Sequence, residues 1–140
     1  ALGLFGLGFG GYYMYRLYRI PARPFWDHWH TGAAFIGTGL TLGSLLLALG
    51  GLAFTELSAA QGRLLAAIAA SGLLLEAIGL YCHYRDLGHS ESEAAASFHE
   101  QGTTYGRAYW LRNGLLAIGI LWVSVMAFTG LVGVWAFALL

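Results

Sequence analysis

Glu76 is the side chain in this 140-residue sequence that most demands a chemical explanation. It is the one charged residue in the run Leu64 to Tyr84. Read as a helix, that run puts Glu76 roughly 20 Å from Arg63 and roughly 14 Å from Arg85, inside the hydrocarbon of a bilayer. A charged, unpaired carboxylate there costs several kcal/mol, so Glu76 must be protonated, paired or turned to a wet cavity. Steps of three, four and seven from Glu76 reach Gly79, Leu80 and His83. The acid and the histidine therefore share a stripe that suits a proton route to the polar surface, with His83 exchanging protons near neutral pH. The competing reading is a glutamate bonded to a neighbouring helix and an interfacial histidine with no role.

His28 and His30 stand two apart at a helix start, a spacing that ligates metal or haem only with help from another segment. A haem between helices would need His83 opposite one of them, and no haem is expected. Surface hydrogen bonding is the expectation for His28, His30, His89 and His99. Cys82 is the single cysteine and has no partner for a disulfide or a metal motif. Gly6-Leu-Gly8-Phe-Gly10-Gly11 matches the dinucleotide pattern in form alone, because no strand precedes it. Without a phosphate loop, a Ser-His-Asp grouping or a basic stripe, nucleotide hydrolysis, triad chemistry and nucleic-acid binding are excluded as readings.

The elements that must position these residues are membrane helices. Apolar residues make up 58% of the chain and charged residues 10%, with no lysine. The expected fold is all-α, a polytopic transmembrane bundle of five helices in a single domain over residues 1–140. Helix A covers about Ala1–Tyr15, B Thr31–Phe54, C Leu64–Tyr84, D Leu111–Phe128 and E Leu131–Leu140, with a tight turn at Gly130. The first and last read as truncated, as in a piece of a longer protein. Gly39 and Gly43 give helix B a small-residue face for packing, and the glycines of helix A suit close approach in lipid. Between C and D, Ser90 and Glu93 have capping-box spacing, Ala94–Gln101 suits a short surface helix, and Gly102 suits its end. The segment Arg16–His30, with two prolines, cannot continue a helix, so it lies at a membrane surface or against protein, its tryptophans at headgroup level.

Arg16, Arg19, Arg23, Arg85, Arg107 and Arg112 fall on one side of this arrangement and Arg63 alone on the other. The positive-inside rule makes the arginine-rich side cytoplasmic, in the cell's inner membrane.

Two runs carry a family likeness. Tyr15-Arg16-x-Tyr18-Arg19-x-Pro21-Ala22-Arg23-Pro24-x-Trp26, followed by Thr31-Gly32-x-x-Phe35-x-Gly37-Thr38-Gly39-Leu40-x-Leu42-Gly43, resembles the dimethyl sulfoxide reductase membrane-anchor family. So does Glu93-x-x-x-Ser97 with Tyr105-Gly106-x-x-Tyr109-x-Leu111-Arg112. The resemblance implies an eight-helix anchor, of which this chain matches about the fourth helix through the start of the eighth. It further implies an iron–sulfur electron-transfer subunit and a molybdopterin catalytic subunit as partners, and electron exchange with quinone without haem. Glu76, His83, Tyr105 and Arg112 are then candidates for quinone or proton handling, and Arg19, Arg23, Trp26 and His30 for partner docking. With the arginine-rich side cytoplasmic, the chain resembles most the branch that anchors a quinone-reducing sulfite dehydrogenase. The alternatives are a haem-b-bearing anchor, a proton-coupled transporter using Glu76, and a purely structural anchor.

Overall fold

A computed structural model describes residues 2–23, 25–54, 56–87 and 93–129. Among them are five helices and no strand: α1 (Leu2–Tyr18), α2 (Trp29–Phe54), α3 (Ala59–Leu87), α4 (Glu93–Thr103) and α5 (Gly106–Thr129). Helices α2, α3 and α5 are each long and apolar enough to cross a membrane. The short surface helix is α4; helix E, the turn at Gly130, Ser90 and His89 lie outside the described residues.

Helix α3 begins five residues before its predicted start because a capping box opens it. The Ser58 and Gln61 side chains close on one another at 2.9 Å, the Ser58 N–H donates to Gln61 Oε1 at 3.0 Å, and the Gln61 N–H donates to Ser58 Oγ at 3.3 Å. Gly102 does not end α4; it lies inside the helix, and the Tyr105 N–H closes the last turn on the Glu100 carbonyl at 3.3 Å.

Helix α3 lies at the centre, packed on α2 along one side and α5 along the other. Lipid tails are as apolar as leucine, so helices associate in a bilayer through close packing and hydrogen bonds rather than through water exclusion. The α2–α3 seam has that character. A Cβ on Gly37 would stand 2.6 Å from the Gly72 carbonyl oxygen, and one on Gly72 would stand 2.6 Å from the Gly37 carbonyl oxygen. Thr41 Oγ1 is shared between the Gly37 carbonyl at 2.9 Å on its own helix and the Ala69 carbonyl at 3.4 Å across the seam. The small face of α2 is thus Ala33, Gly37, Thr41, Ser44 and Ala48, all buried. The predicted Gly39–Gly43 face is a correction: among the described residues, a Cβ at either position meets nothing within 4 Å. A Cβ added at any glycine of α1 from Gly3 to Gly11 would likewise meet nothing within 4 Å among the described residues.

Past the seam, Ala48, Ala66, Ala69 and Ala70 meet Val123 and Met126 of α5 in the buried core. The faces left outside carry exposed Leu42, Leu46, Leu74, Ile78, Leu115 and Leu121, which suits contact with acyl chains. Arg63 stands near the start of α3, whereas the other six arginines cluster toward the opposite end of the bundle.

Candidate functional site

Two polar clusters lie along the α2–α3 seam in one antiparallel register. His28 pairs with Asp86 near the polar end. Ten residues further along α2 and ten back along α3, Thr38 meets Glu76.

The deeper cluster is built on Glu76, whose side chain is 13% exposed. Thr38 Oγ1 of α2 donates to Glu76 Oε1 at 2.6 Å, and Arg112 Nη2 of α5 lies 4.0 Å from Glu76 Oε2. The carboxylate therefore ties all three long helices. Gly37 makes this possible, because any side chain there would occupy the space of the Glu76 Cγ, 2.6 Å from its would-be Cβ. Arg112 lies about two turns inside α5, because that helix begins at Gly106 rather than at Leu111. Its side chain remains 45% exposed, as Thr38 is exposed, so the cluster opens sideways between α2 and α5.

The shallower cluster joins three histidines. His83 is 2% exposed, stacks on His30 at 4.7 Å between ring centroids, and is met edge-on by His28 at 4.9 Å. Phe25 and Phe98 close the remaining sides. His28 Nδ1 accepts from the His30 backbone N–H at 3.1 Å, which in the neutral ring leaves the proton on Nε2 to be donated to Asp86 Oδ2 at 3.1 Å. Both nitrogens of His83 and Nε2 of His30 are buried with no hydrogen-bond partner among the described residues. The surface role expected of His30 is thereby corrected: its ring turns inward, to the place opened by Gly79, whose would-be Cβ lies 3.3 Å from His30 Cδ2. The stack presents ring faces to each other, so it does not aim two nitrogens across a haem plane. No group of three or more His, Cys, Asp or Glu among the described residues is arranged to hold a metal ion.

Of the residues assigned to quinone or proton handling, the structure brings Glu76 and Arg112 together and sets His83 two turns further along the same stripe. Tyr105 is elsewhere. With Arg23, Phe25, Trp26, Glu93 and Glu100 it lines a cleft of mixed polarity, about 460 Å³, between the α1–α2 loop and α4. Of the residues expected to dock a partner, Arg23 and Trp26 thus stand with Tyr105 and apart from His30. Arg19 braces the same loop: its Nε donates to Asp27 Oδ1 at 2.7 Å and its Nη1 to the Tyr15 hydroxyl at 2.8 Å. Those two partners, Tyr15 foremost, hold the guanidinium above its ordinary value. A separate apolar crevice of about 760 Å³ runs between α1 and α2 beside Gly8, Tyr12, Phe35 and Gly39.

Thr38, Asp86 and Asn113 were not singled out for chemistry by the sequence. Depth matching gives a signal for Thr38, since it sits nine residues from the start of α2 and Glu76 eleven from the end of α3, a similar depth. Asn113, whose Oδ1 is buried and unpartnered among the described residues beside Ala77 and Leu80, gave none. Comparison with protein families, with curated proteins and with solved structures gives no match.

Proposed function

We propose that this chain is a membrane-anchor subunit of a molybdopterin and iron–sulfur oxidoreductase and that it exchanges electrons with the quinone pool, with sulfite oxidation the favoured reaction of the catalytic partner. The observation that carries the reading is the Thr38–Glu76–Arg112 cluster, polar, inside a membrane-spanning bundle and open laterally to lipid. An ionisable group in that position is a functional site by default, because a bundle held by small residues does not need one. The resemblance of the junction and helix-start motifs to the dimethyl sulfoxide reductase anchors supplies the reaction class.

Quinone fits the residues present. Arg112 offers guanidinium donors to a carbonyl-bearing ring that enters between α2 and α5, and Glu76, held by the Thr38 hydroxyl, stands beside it to hold or release a proton. An isoprenoid tail requires only an apolar crevice, of which the α1–α2 groove is one. The bound quinone supplies the two-electron, two-proton couple; the chain orients it, excludes bulk water and moves protons at the Glu76 carboxyl oxygens. On the arginine-rich side, the cleft lined by Arg23, Trp26, Glu93 and Tyr105 suits the iron–sulfur subunit, and that side faces the cytoplasm of the inner membrane.

The bond from Thr38 to Glu76 also favours a second reading, in which Glu76 is a tie between helices and quinone is handled elsewhere. One experiment addresses both. The full-length protein, extracted in mild detergent, is expected to co-purify with an iron–sulfur and a molybdopterin subunit in stoichiometric amount and to turn over quinone, and Glu76→Gln is expected to lower that turnover. Unchanged turnover in Glu76→Gln assigns the tie; a protein that purifies alone overturns the anchor reading.

A further inference from the structure

Three ring nitrogens, buried in one small volume and without partners among the described residues, demand an account. Leaving a buried polar atom unpaired costs about 1–3 kcal/mol, so such atoms in a folded protein ordinarily mark a bound water, an ion or a mechanistic role. His83 Nδ1 and Nε2 point away from each other on one ring, so they call for two separate partners, and a water bonded to either of them, or to His30 Nε2, could bridge onward to a further polar group. If the rings were packing alone, phenylalanine would serve as well among Phe25 and Phe98, and without that cost.

The cluster also has two ends. Asp86 is exposed at the polar face and is fixed there by His28 Nε2 and Arg85 Nε, at 3.1 and 3.2 Å. His30 reaches inward to Gly79, and Glu76 stands three residues, about 4.5 Å of helix rise, beyond it. Arg112 Nη2 lies 4.0 Å from Glu76 Oε2 at this end.

We infer that Asp86, His83 and His30 form a water-bridged proton path from the polar face to the Glu76 carboxylate, with His28 as the residue that positions Asp86. Both His83 nitrogens are free to serve. A proton from water gathered at Asp86 binds one of them while the other gives its proton to the bridging water, which passes one on to His30 and from there to Glu76. Each imidazole ends neutral and in its other tautomer, each bridging water is re-formed, and one proton has moved with no oxidant or reductant involved. A turn of each ring resets the chain for the next proton. This path rests on the proton role proposed for Glu76 but not on the identity of the electron carrier.

The test uses the full-length protein, labelled with 15N-histidine, in lipid nanodiscs. The ring protons of His83 and His30 are expected to exchange with solvent within seconds of transfer to D2O, and Asp86→Asn to slow that exchange. Ring protons that persist for hours overturn the path. In the intact complex, His83→Phe, which keeps the packing, and His83→Gln, which keeps polarity but not the relay, are both expected to reduce quinone turnover by roughly 100-fold and to enlarge its solvent isotope effect, with KM unchanged. Circular dichroism of each variant checks the fold. Wild-type turnover with unaltered variants overturns the path as well. A complex with no quinone turnover at all counts against the anchor reading, and the exchange measurement then still decides the path.

Discussion

Adding a single methyl at Gly72 tests the seam on which both polar clusters depend. The Cβ of Gly72→Ala would stand 2.6 Å from the Gly37 carbonyl oxygen and from Thr41 Oγ1, and 3.0 Å from Leu40 Cβ. Ordinary contact begins at 3.4 Å, and the first obstacle is backbone, so the two helices must part by about 0.8 Å. At that separation the Thr41 bond to the Ala69 carbonyl, already 3.4 Å, is lost, and the Thr38 bond to Glu76 stretches from 2.6 Å toward its limit. Overpacking costs about 1–3 kcal/mol. Each lost interhelical hydrogen bond adds about 0.6 kcal/mol, against about 0.5–1 kcal/mol regained from the higher helix propensity of alanine. The net expectation is a loss of about 1–3 kcal/mol, read as reversible unfolding in mixed micelles. Gly39→Ala and Gly43→Ala are the controls, because their added methyls meet nothing and only the propensity gain remains. Equal stability of Gly72→Ala and Gly39→Ala would refute the seam and restore the pairing read from Gly39-x-x-x-Gly43.

Glu76→Leu is expected to lower stability more than Glu76→Gln, since the amide retains an acceptor for Thr38 whereas leucine leaves both Thr38 and Arg112 without it; the same unfolding assay ranks the two. Ser58→Ala removes the cap of α3 and should cost about 1 kcal/mol without affecting quinone turnover, a separation that denaturation and activity together read out. If the cleft holds the proposed iron–sulfur partner, Arg23→Glu, which reverses a charge on its rim, is expected to abolish co-purification of that partner while leaving the melting temperature of the isolated chain in place.

Much of the fold was legible because lipid imposes simple rules on sequence. An uncharged run from Thr31 to Phe54 can hardly be anything but a span, and α2 follows it to within two residues at its start and none at its end. The surface helix after Glu93 was legible from alanines and a favourable N-terminus. Boundaries set by local side-chain bonds were harder: α3 starts at Ala59 because Ser58 and Gln61 cap each other, a signal present in the sequence but hidden by the polar connection around it. For the site, Glu76 and the stripe through Gly79 to His83 were visible from helical periodicity. Helix rotation was not, and it decided which glycines matter. Gly37 and Gly39 are two apart, nearly opposite on the helix, and the neighbouring helix touches only the first.

By itself the sequence determined what a one-dimensional pattern can encode under a strong solvent constraint: that the protein is a bundle of membrane helices, where the long apolar spans run, that six arginines gather at one end, and that a carboxylate is carried into the membrane. Tertiary structure alone decided partnership. It set Thr38 and Arg112 on either side of Glu76, turned His30 inward onto His83, and sent Tyr105 to the cleft with Arg23. The reason lies in range. Span length and polarity are fixed by each segment's own contact with lipid, whereas the meeting of residues 38, 76 and 112 depends on the rotation and register of three helices, which the close approach of Gly37 to Gly72 sets between two of them and the packing of Val123 and Met126 sets for the third.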